Sequence, residues 1–158
     1  MLSACAISGG PITGTPTAID AVVPHKKNTR VTYSNPDTVH TPPGRYSHTV
    51  AVPTGTDLIF VSGQVGIRLD GSTPATIAEQ ADQVFSNIGA LLKAHGLEAS
   101  DIIKLTTFMV AGHDGRAVGQ ARNKYLGSHR PASTTVYVSQ LVDPTWLVEV
   151  EVIAGKSK

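Results

Sequence analysis

Residues 73–96, TPATIAEQADQVFSNIGALLKAHG, decide the fold of this chain. Apolar side chains recur there three and four residues apart, which places them along one face of a helix. They are Ile77, Ala81, Val84, Ile88 and Leu92, with Phe85 and Leu91 widening the stripe. Thr76 and Glu79 have the spacing of a capping box, and Gly96 is suited to the left-handed conformation that ends a helix. The sequence therefore predicts an amphipathic helix that must pack on a sheet.

Stretches typical of β-strands lie on both sides of this helix. We expect strands at 46–52, 57–64, 102–110, 134–141 and 146–154, and a second helix that Asp114 caps and Gly127 ends. The first two strands are predicted to form an antiparallel hairpin. A further short edge strand is expected around 29–33. The order is β-β-α-β-α-β-β, and a strand, a helix and a strand in succession are typical of a crossover unit, so we predict an α+β fold.

The last strand shows which face of the sheet remains uncovered. Trp146, Val148, Val150 and Val152 point one way, and Leu147, Glu149, Glu151 and Ile153 point the other. Two helices can cover only one face of the sheet. The other face then mixes apolar groups with two carboxylates, which predicts a homo-oligomer.

Composition narrows the class of protein. The chain has 158 residues, 41% of them hydrophobic, which is enough for one domain with a core. A net charge of +1 without a basic run does not indicate a nucleic-acid or membrane partner. The six histidines lack metal-ligand spacing, so no metal site is predicted. No apolar run approaches the roughly 20 residues that span a bilayer.

Residues 1–40 are predicted to be a flexible leader, and 41–158 the folded domain. Six of the ten prolines fall within residues 1–43, and no periodicity is sustained there. The single cysteine, Cys5, suits a reducing compartment, and we expect a cytoplasmic protein. Leu2 to Cys5 has the form of a lipoprotein cleavage box, but the basic and apolar segments that precede such a box are missing. An exported lipoprotein is the minor alternative if the true start lies upstream of Met1.

Several segments between residues 41 and 154 share their order and spacing with one family. They are PGRYS at 43–47, FVSGQVG at 60–66, QVFSNI at 83–88, IKLTT at 103–107, RPA at 130–132 and VEVEVIA at 148–154. With these segments the chain resembles the RidA (YjgF) family of reactive-intermediate deaminases. The resemblance covers all of the predicted fold but not the leader.

The resemblance implies a chorismate-mutase-like fold, in which three subunits close their sheets into a barrel. It also implies clefts for small carboxylates between the subunits. The better-known members hydrolyse 2-imino or enamino acids to 2-oxo acids and ammonia, and no metal or organic cofactor takes part.

The resemblance also implies the residues of a site. Glu149 would position the hydrolytic water or carry its proton; as an alternative it pairs across the trimer or faces water. Tyr46 would close over the ligand, Ser62 and Gly63 would bind its carboxylate, and Thr135 would line the wall. Gly63 is explained equally well as turn chemistry at a strand end. Ser133 stands where the deaminases have an arginine that clamps the carboxylate, and a serine supplies no charge.

Two functions therefore compete. The favoured one is a RidA-like homotrimer that binds a small carboxylate metabolite and is not an efficient deaminase, because Ser133 replaces the arginine. The alternative is an active 2-iminobutanoate/2-iminopropanoate deaminase. A ribonuclease, a label that some family members carry, finds little support, because the sequence shows neither a basic stripe nor an aromatic stacking platform.

Overall fold

The computed structural model describes residues 29–156. Their elements are β1 (Thr32–Ser34), β2 (Thr49–Ala51), β3 (Asp57–Val65), α1 (Ile77–Ala94), a 3-10 turn (Ala99–Asp101), β4 (Ile102–Val110), α2 (Gly115–Leu126), β5 (Ala132–Val138) and β6 (Val148–Lys156). The predicted α+β fold is confirmed, and the expected edge strand is β1. Residues 1–28 of the predicted leader lie outside the described residues, so its extent stays a prediction.

The larger sheet has four strands in the order β3-β6-β4-β5. β6 is antiparallel to both of its neighbours, whereas β4 and β5 are parallel. Because β3 and β4 both run against β6, they run in the same direction as each other. The chain passes from β3 through α1 to β4, and from β4 through α2 to β5, as the predicted crossover units require.

The predicted hairpin of the first two strands is wrong. β2 pairs with β1 in a separate two-stranded sheet, and β3 pairs instead with β6, which begins 91 residues after the start of β3. β3 and β6 have nine residues each, and their pairing buries Val61 opposite Val152. The three residues of β2 offer no ladder of comparable length.

The ends of both helices follow their predicted caps. Thr76 Oγ1 accepts from the Glu79 backbone N–H at 3.3 Å, and the Glu79 carboxylate accepts in return from the Thr76 N–H at 3.4 Å. Gly96, just beyond α1, has a φ of +68°. The Asp114 carboxylate accepts from the Arg116 N–H at 3.0 Å at the start of α2. Local sequence is sufficient to place these boundaries.

The core lies between the two helices and one face of the larger sheet. Val148, Val150 and Val152 of β6 are buried against the stripe of α1, as predicted. Phe85 joins that core and stacks on Tyr125 of α2 at a ring-centroid distance of 5.4 Å. Leu91 does not, and is 40% exposed, because it lies on the flank of α1 opposite to the one that α2 covers.

The helices of residues 29–156 are too short or too polar to cross a membrane.

Candidate functional site

The candidate site begins at a bulge in β3. Val61 lies opposite Val152 and Gln64 lies opposite Val150, so Ser62 and Gly63 together take the place of one residue of β6. A bulge of this kind bends the strand and changes the direction of its side chains. The bulge lies in the segment Ser62-Gly63-Gln64, which is part of the family resemblance.

Gly63 and Glu149 are in direct contact through this bulge. An added Cβ at Gly63 would overlap the Glu149 Oε1 atom and would lie 2.7 Å from its carboxyl carbon. The φ angle of Gly63 is not in the left-handed region, so turn chemistry is not the reason for a glycine here. The missing side chain leaves room for the half-buried carboxylate of Glu149.

Gln80 holds the chain that leads to Glu149. Its side chain is 1% exposed, and its amide nitrogen donates to the carbonyl oxygens of Pro74 and Thr145, both at 2.8 Å. Its amide oxygen accepts from the Leu147 N–H at 2.8 Å. Sequence reasoning missed this residue. The sequence could have indicated it, because Gln80 directly precedes Ala81 at the edge of the apolar stripe of α1.

Asn87 holds the other side of the site, where β3 ends. Its amide nitrogen donates to the carbonyl oxygens of Val65 at 3.2 Å and Ile67 at 2.9 Å, and its oxygen accepts from Gln83 at 2.7 Å. This side chain is part of the QVFSNI segment of the resemblance. It therefore ties α1 to the chain just beyond the bulge.

Ser62 lies at a depression on the face of the sheet that the helices leave open. The depression has a volume of about 220 Å³, and Lys104, Thr106 and Glu151 line it with Ser62. The Lys104 ammonium donates to Thr134 Oγ1 at 2.9 Å. The sequence analysis did not single out Lys104. The alternation of β4 could have indicated this residue, because it places Lys104 on the face opposite to the buried Leu105.

Ser133 and Thr135 lie on the opposite face of the sheet. They pair with Leu105 and Thr107 of β4, which are buried under the helices. Partners in a parallel ladder point to the same face. Glu149 pairs with Phe108 on the face that the helices leave open. A single chain therefore does not bring Glu149 and Ser133 into one cleft.

Tyr46 lies close to the start of β5. The neighbouring Ser47 is buried, and its N–H donates to the Pro131 carbonyl at 3.2 Å, while its hydroxyl donates to the Arg130 carbonyl at 2.7 Å. The Tyr46 ring meets the His48 ring edge-on at a centroid distance of 5.6 Å. Backbone contacts thus place Tyr46 beside the strand that carries Ser133.

The predicted residues thus form two groups. Ser62, Gly63 and Glu149 belong to the open face, whereas Ser133 and Thr135 belong to the other face, with Tyr46 near the start of their strand. Within residues 29–156, no three His, Cys, Asp or Glu side chains lie close enough together to hold a metal ion.

Two solved structures have this arrangement of elements. One is a Rid-family protein, YyfB of Yersinia pestis, with a TM-score of 0.71 and 25% identity over 79% of this chain and 98% of that one. The other is Escherichia coli TdcF with bound serine, with a TM-score of 0.59 and 26% identity over 72% of this chain and 94% of that one. The fold is thus shared over almost the full length of both structures.

Similarity in sequence leads to the same group of proteins. A 2-iminobutanoate/2-iminopropanoate deaminase of Bos taurus is 33% identical over 113 residues, which cover 70% of this chain and 80% of the bovine protein. The family model described as endoribonuclease L-PSP matches residues 38–156. The chain therefore belongs to the endoribonuclease L-PSP family, which is the RidA (YjgF) family that its motifs indicate.

Proposed function

We propose that the protein is a homotrimer that binds a small carboxylate metabolite between its subunits and is not an efficient 2-imino acid deaminase. One observation carries this proposal. Gly63 and Glu149 lie on one face of the sheet, whereas Ser133 lies on the other. A second copy of the chain is needed to bring these groups into a common cleft.

The open face of the sheet supports an assembly of this kind. Phe60 is 71% exposed and Leu58 is 41% exposed on β3. Large apolar side chains grouped on one surface are typical of an interaction site. Lys104 and Glu151 are next to Phe60 at the depression and provide opposite charges for a second subunit to meet.

Ser133 is the reason for expecting weak deamination. A bidentate pair between an arginine and a carboxylate is roughly twice as strong as a neutral hydrogen bond. Ser133 offers one neutral hydroxyl in a position where the deaminases of the family offer that pair. Substrate would therefore be held loosely at this point of the cleft.

An active deaminase is the alternative, and Glu149 favours it. The carboxylate is half-buried and forms no ion pair within residues 29–156, so it is free to accept a proton from water. The deaminase name of the bovine relative agrees with this alternative.

The oligomeric state is the first test. Light scattering of the purified protein should give three times the chain mass of 16.5 kDa. A monomer at micromolar concentration would contradict the proposal, because one chain cannot complete the cleft.

The activity test measures ammonia release from 2-iminobutanoate and 2-iminopropanoate by the unmodified protein and by single and double variants. We expect slow turnover in the unmodified protein and a gain of about tenfold in Ser133→Arg, which corresponds to roughly 1.4 kcal/mol. Added to Ser133→Arg, Glu149→Gln should remove that gain, whereas Glu98→Gln, which changes an exposed glutamate outside the sheet, should retain it. Fast turnover in the unmodified protein that is lost in Glu149→Gln would instead establish the deaminase.

A further inference from the structure

Three arginines meet at the end of α2. The Arg130 guanidinium donates to the Gly127 carbonyl at 3.2 Å and to the His129 carbonyl at 2.9 Å. The Arg45 guanidinium donates to the same Gly127 oxygen, and the Arg122 guanidinium donates to the Arg45 carbonyl. The guanidinium groups of Arg45 and Arg130 thus share one acceptor, and that of Arg122 is bonded to the backbone of Arg45.

The charge of this arginine cluster is not compensated within the described part of the chain. The two ion pairs of residues 29–156 join Arg116 to Asp114 and Lys124 to Asp82, and neither involves the cluster. Arg122 Nε is buried and has no hydrogen-bond partner among residues 29–156. Burial lowers the pKa of the Arg122 guanidinium, and the charges of Arg130 and Arg45 lower it further. Neighbouring like charges repel one another, and an anion bound between them would relieve that repulsion.

Capping of a helix does not account for the whole cluster. Cations near a helix C-terminus are stabilised by its dipole, and one is sufficient to satisfy a free carbonyl group. The last turn of α1 has a single basic side chain, the exposed Lys93. At the end of α2, by contrast, two arginines bind the single carbonyl group of Gly127. Arg122 binds the Arg45 carbonyl instead, so it does not cap the helix. The position of Arg122 needs a different explanation.

The cluster adjoins one half of the candidate site. Arg45 immediately precedes Tyr46, and the two hydrogen bonds of Ser47 hold this segment against Arg130 and Pro131. β5 begins directly after Pro131 and carries Ser133. An anionic group bound by the cluster would therefore be close to Tyr46 and to the start of β5.

We propose that Arg45, Arg122 and Arg130 form a binding site for an oxyanion, namely the carboxylate or phosphate group of a small metabolite. Guanidinium groups suit this role, because their planar N–H donors match the geometry of both anions. The site would provide the positive charge that Ser133 does not. Its assignment to the metabolite cleft rests on the function proposed above, but the binding of an anion can be measured separately.

The test is calorimetric titration of the full-length protein with inorganic phosphate and, separately, with succinate, against sodium chloride at matched ionic strength. We expect saturable binding of at least one of the two, and their relative affinity distinguishes a phosphate from a carboxylate ligand. Arg122→Gln should weaken that binding by about tenfold. Arg116→Gln is the matched control, since Arg116 is on the same helix but paired with Asp114, and it should bind as the unmodified protein does.

Two results would overturn the oxyanion site. One is the absence of binding of both small anions, whether or not the protein then binds a single-stranded RNA oligonucleotide, and the other is an equal loss of affinity in Arg116→Gln. If Arg122→Gln does not fold, the Nε–H resonance of Arg122 in the unmodified protein decides, because phosphate or succinate must shift it. A protein that binds the anion but fails the trimer test retains this site and loses only the proposed cleft.

Discussion

The two faces of the four-stranded sheet differ in what they do for the protein. Towards the helices, Val148, Val150 and Val152 are at most 2% exposed. On the other face, the same strand presents Glu149 and Glu151 next to exposed apolar side chains. The buried core is on one face, and the groups suited to assembly, together with Glu149, are on the other. A shift of one residue in the register of β6 would exchange them, so the pairing of this strand decides both.

The largest expected effect is on the free energy of unfolding, and it should differ between substitutions on the two faces of the sheet. Ile88→Ala, in the core of α1, should lower the free energy of unfolding by about 2–5 kcal/mol, because it removes buried methyl groups and leaves a cavity. Phe60→Ala, on the open face, should weaken subunit association instead. Urea unfolding at two protein concentrations measures both, since only a change in association makes the effect depend on concentration. An equally large, concentration-independent loss in Phe60→Ala would mean that the open face belongs to the core of the single chain.

Gly63 and Gly66 lie three residues apart but should respond differently to substitution by alanine. A Cβ at Gly66 would lie 2.7 Å from the Gln80 Cα and 2.9 Å from its carbonyl oxygen, and this backbone cannot move aside easily. Gly66→Ala should therefore cost about 1–3 kcal/mol of stability. The added Cβ of Gly63→Ala would meet the flexible carboxylate of Glu149, so the substitution should cost only about 0.5 kcal/mol of stability.

The same Gly63→Ala substitution should nevertheless damage the site. In the Ser133→Arg background, the displaced Glu149 carboxylate should lower the rate of ammonia release, whereas Gly66→Ala should act on stability. Urea unfolding and the ammonia assay make the comparison. If Gly63→Ala changed neither quantity, the contact between Gly63 and Glu149 would have no functional role.

Gln80 connects the two faces, because it is buried on the helix side and binds the chain before Glu149. Gln80→Leu should cost about 1–3 kcal/mol, since it leaves the Leu147 N–H and the carbonyl oxygens of Pro74 and Thr145 without their partner. Hydrogen exchange of the Leu147 amide should become faster. Gln120→Leu, on the exposed side of α2, is the control and should change neither quantity. Unchanged exchange at Leu147 in Gln80→Leu would show that the positioning depends on other contacts.

The smallest expected effect concerns the start of α1. Thr76→Ala should cost about 1 kcal/mol, because the Glu79 N–H loses its acceptor. It should leave the affinity for phosphate or succinate unchanged, since the arginine cluster does not contact the start of α1. Thermal unfolding and the titration described above measure these effects, with the exposed Thr54→Ala as the control. A changed affinity would mean that the arginine cluster depends on how α1 begins.

Much of the fold could be predicted because its signals are local. Thr76 and Glu79 are three residues apart, Asp114 is two residues from the amide that it caps, and the faces of β6 follow from strict alternation. The pairing of β2 could not be predicted in the same way. Its strand had the right pattern for a hairpin, but the choice of partner depends on the length and register of strands that are distant in sequence.

The candidate site shows the same limit more sharply. The resemblance named Gly63 and Glu149, but only the fold brings a glycine into contact with a carboxylate 86 residues further along the chain. Likewise, Ser133 lies on the other face because the parallel register of β4 and β5 pairs it with the buried Leu105. None of the three arginines of the cluster has a sequence neighbour that indicates the other two.

The sequence by itself determined the helices, their caps, the alternation of the strands and the family, because these depend on neighbouring residues and on the order of motifs. The tertiary structure decided which strands pair, which predicted residues share a face, and that Arg45, Arg122 and Arg130 meet at Gly127. The physical reason is that contacts between distant residues depend on the packing of whole elements, and local patterns contain no information about that packing.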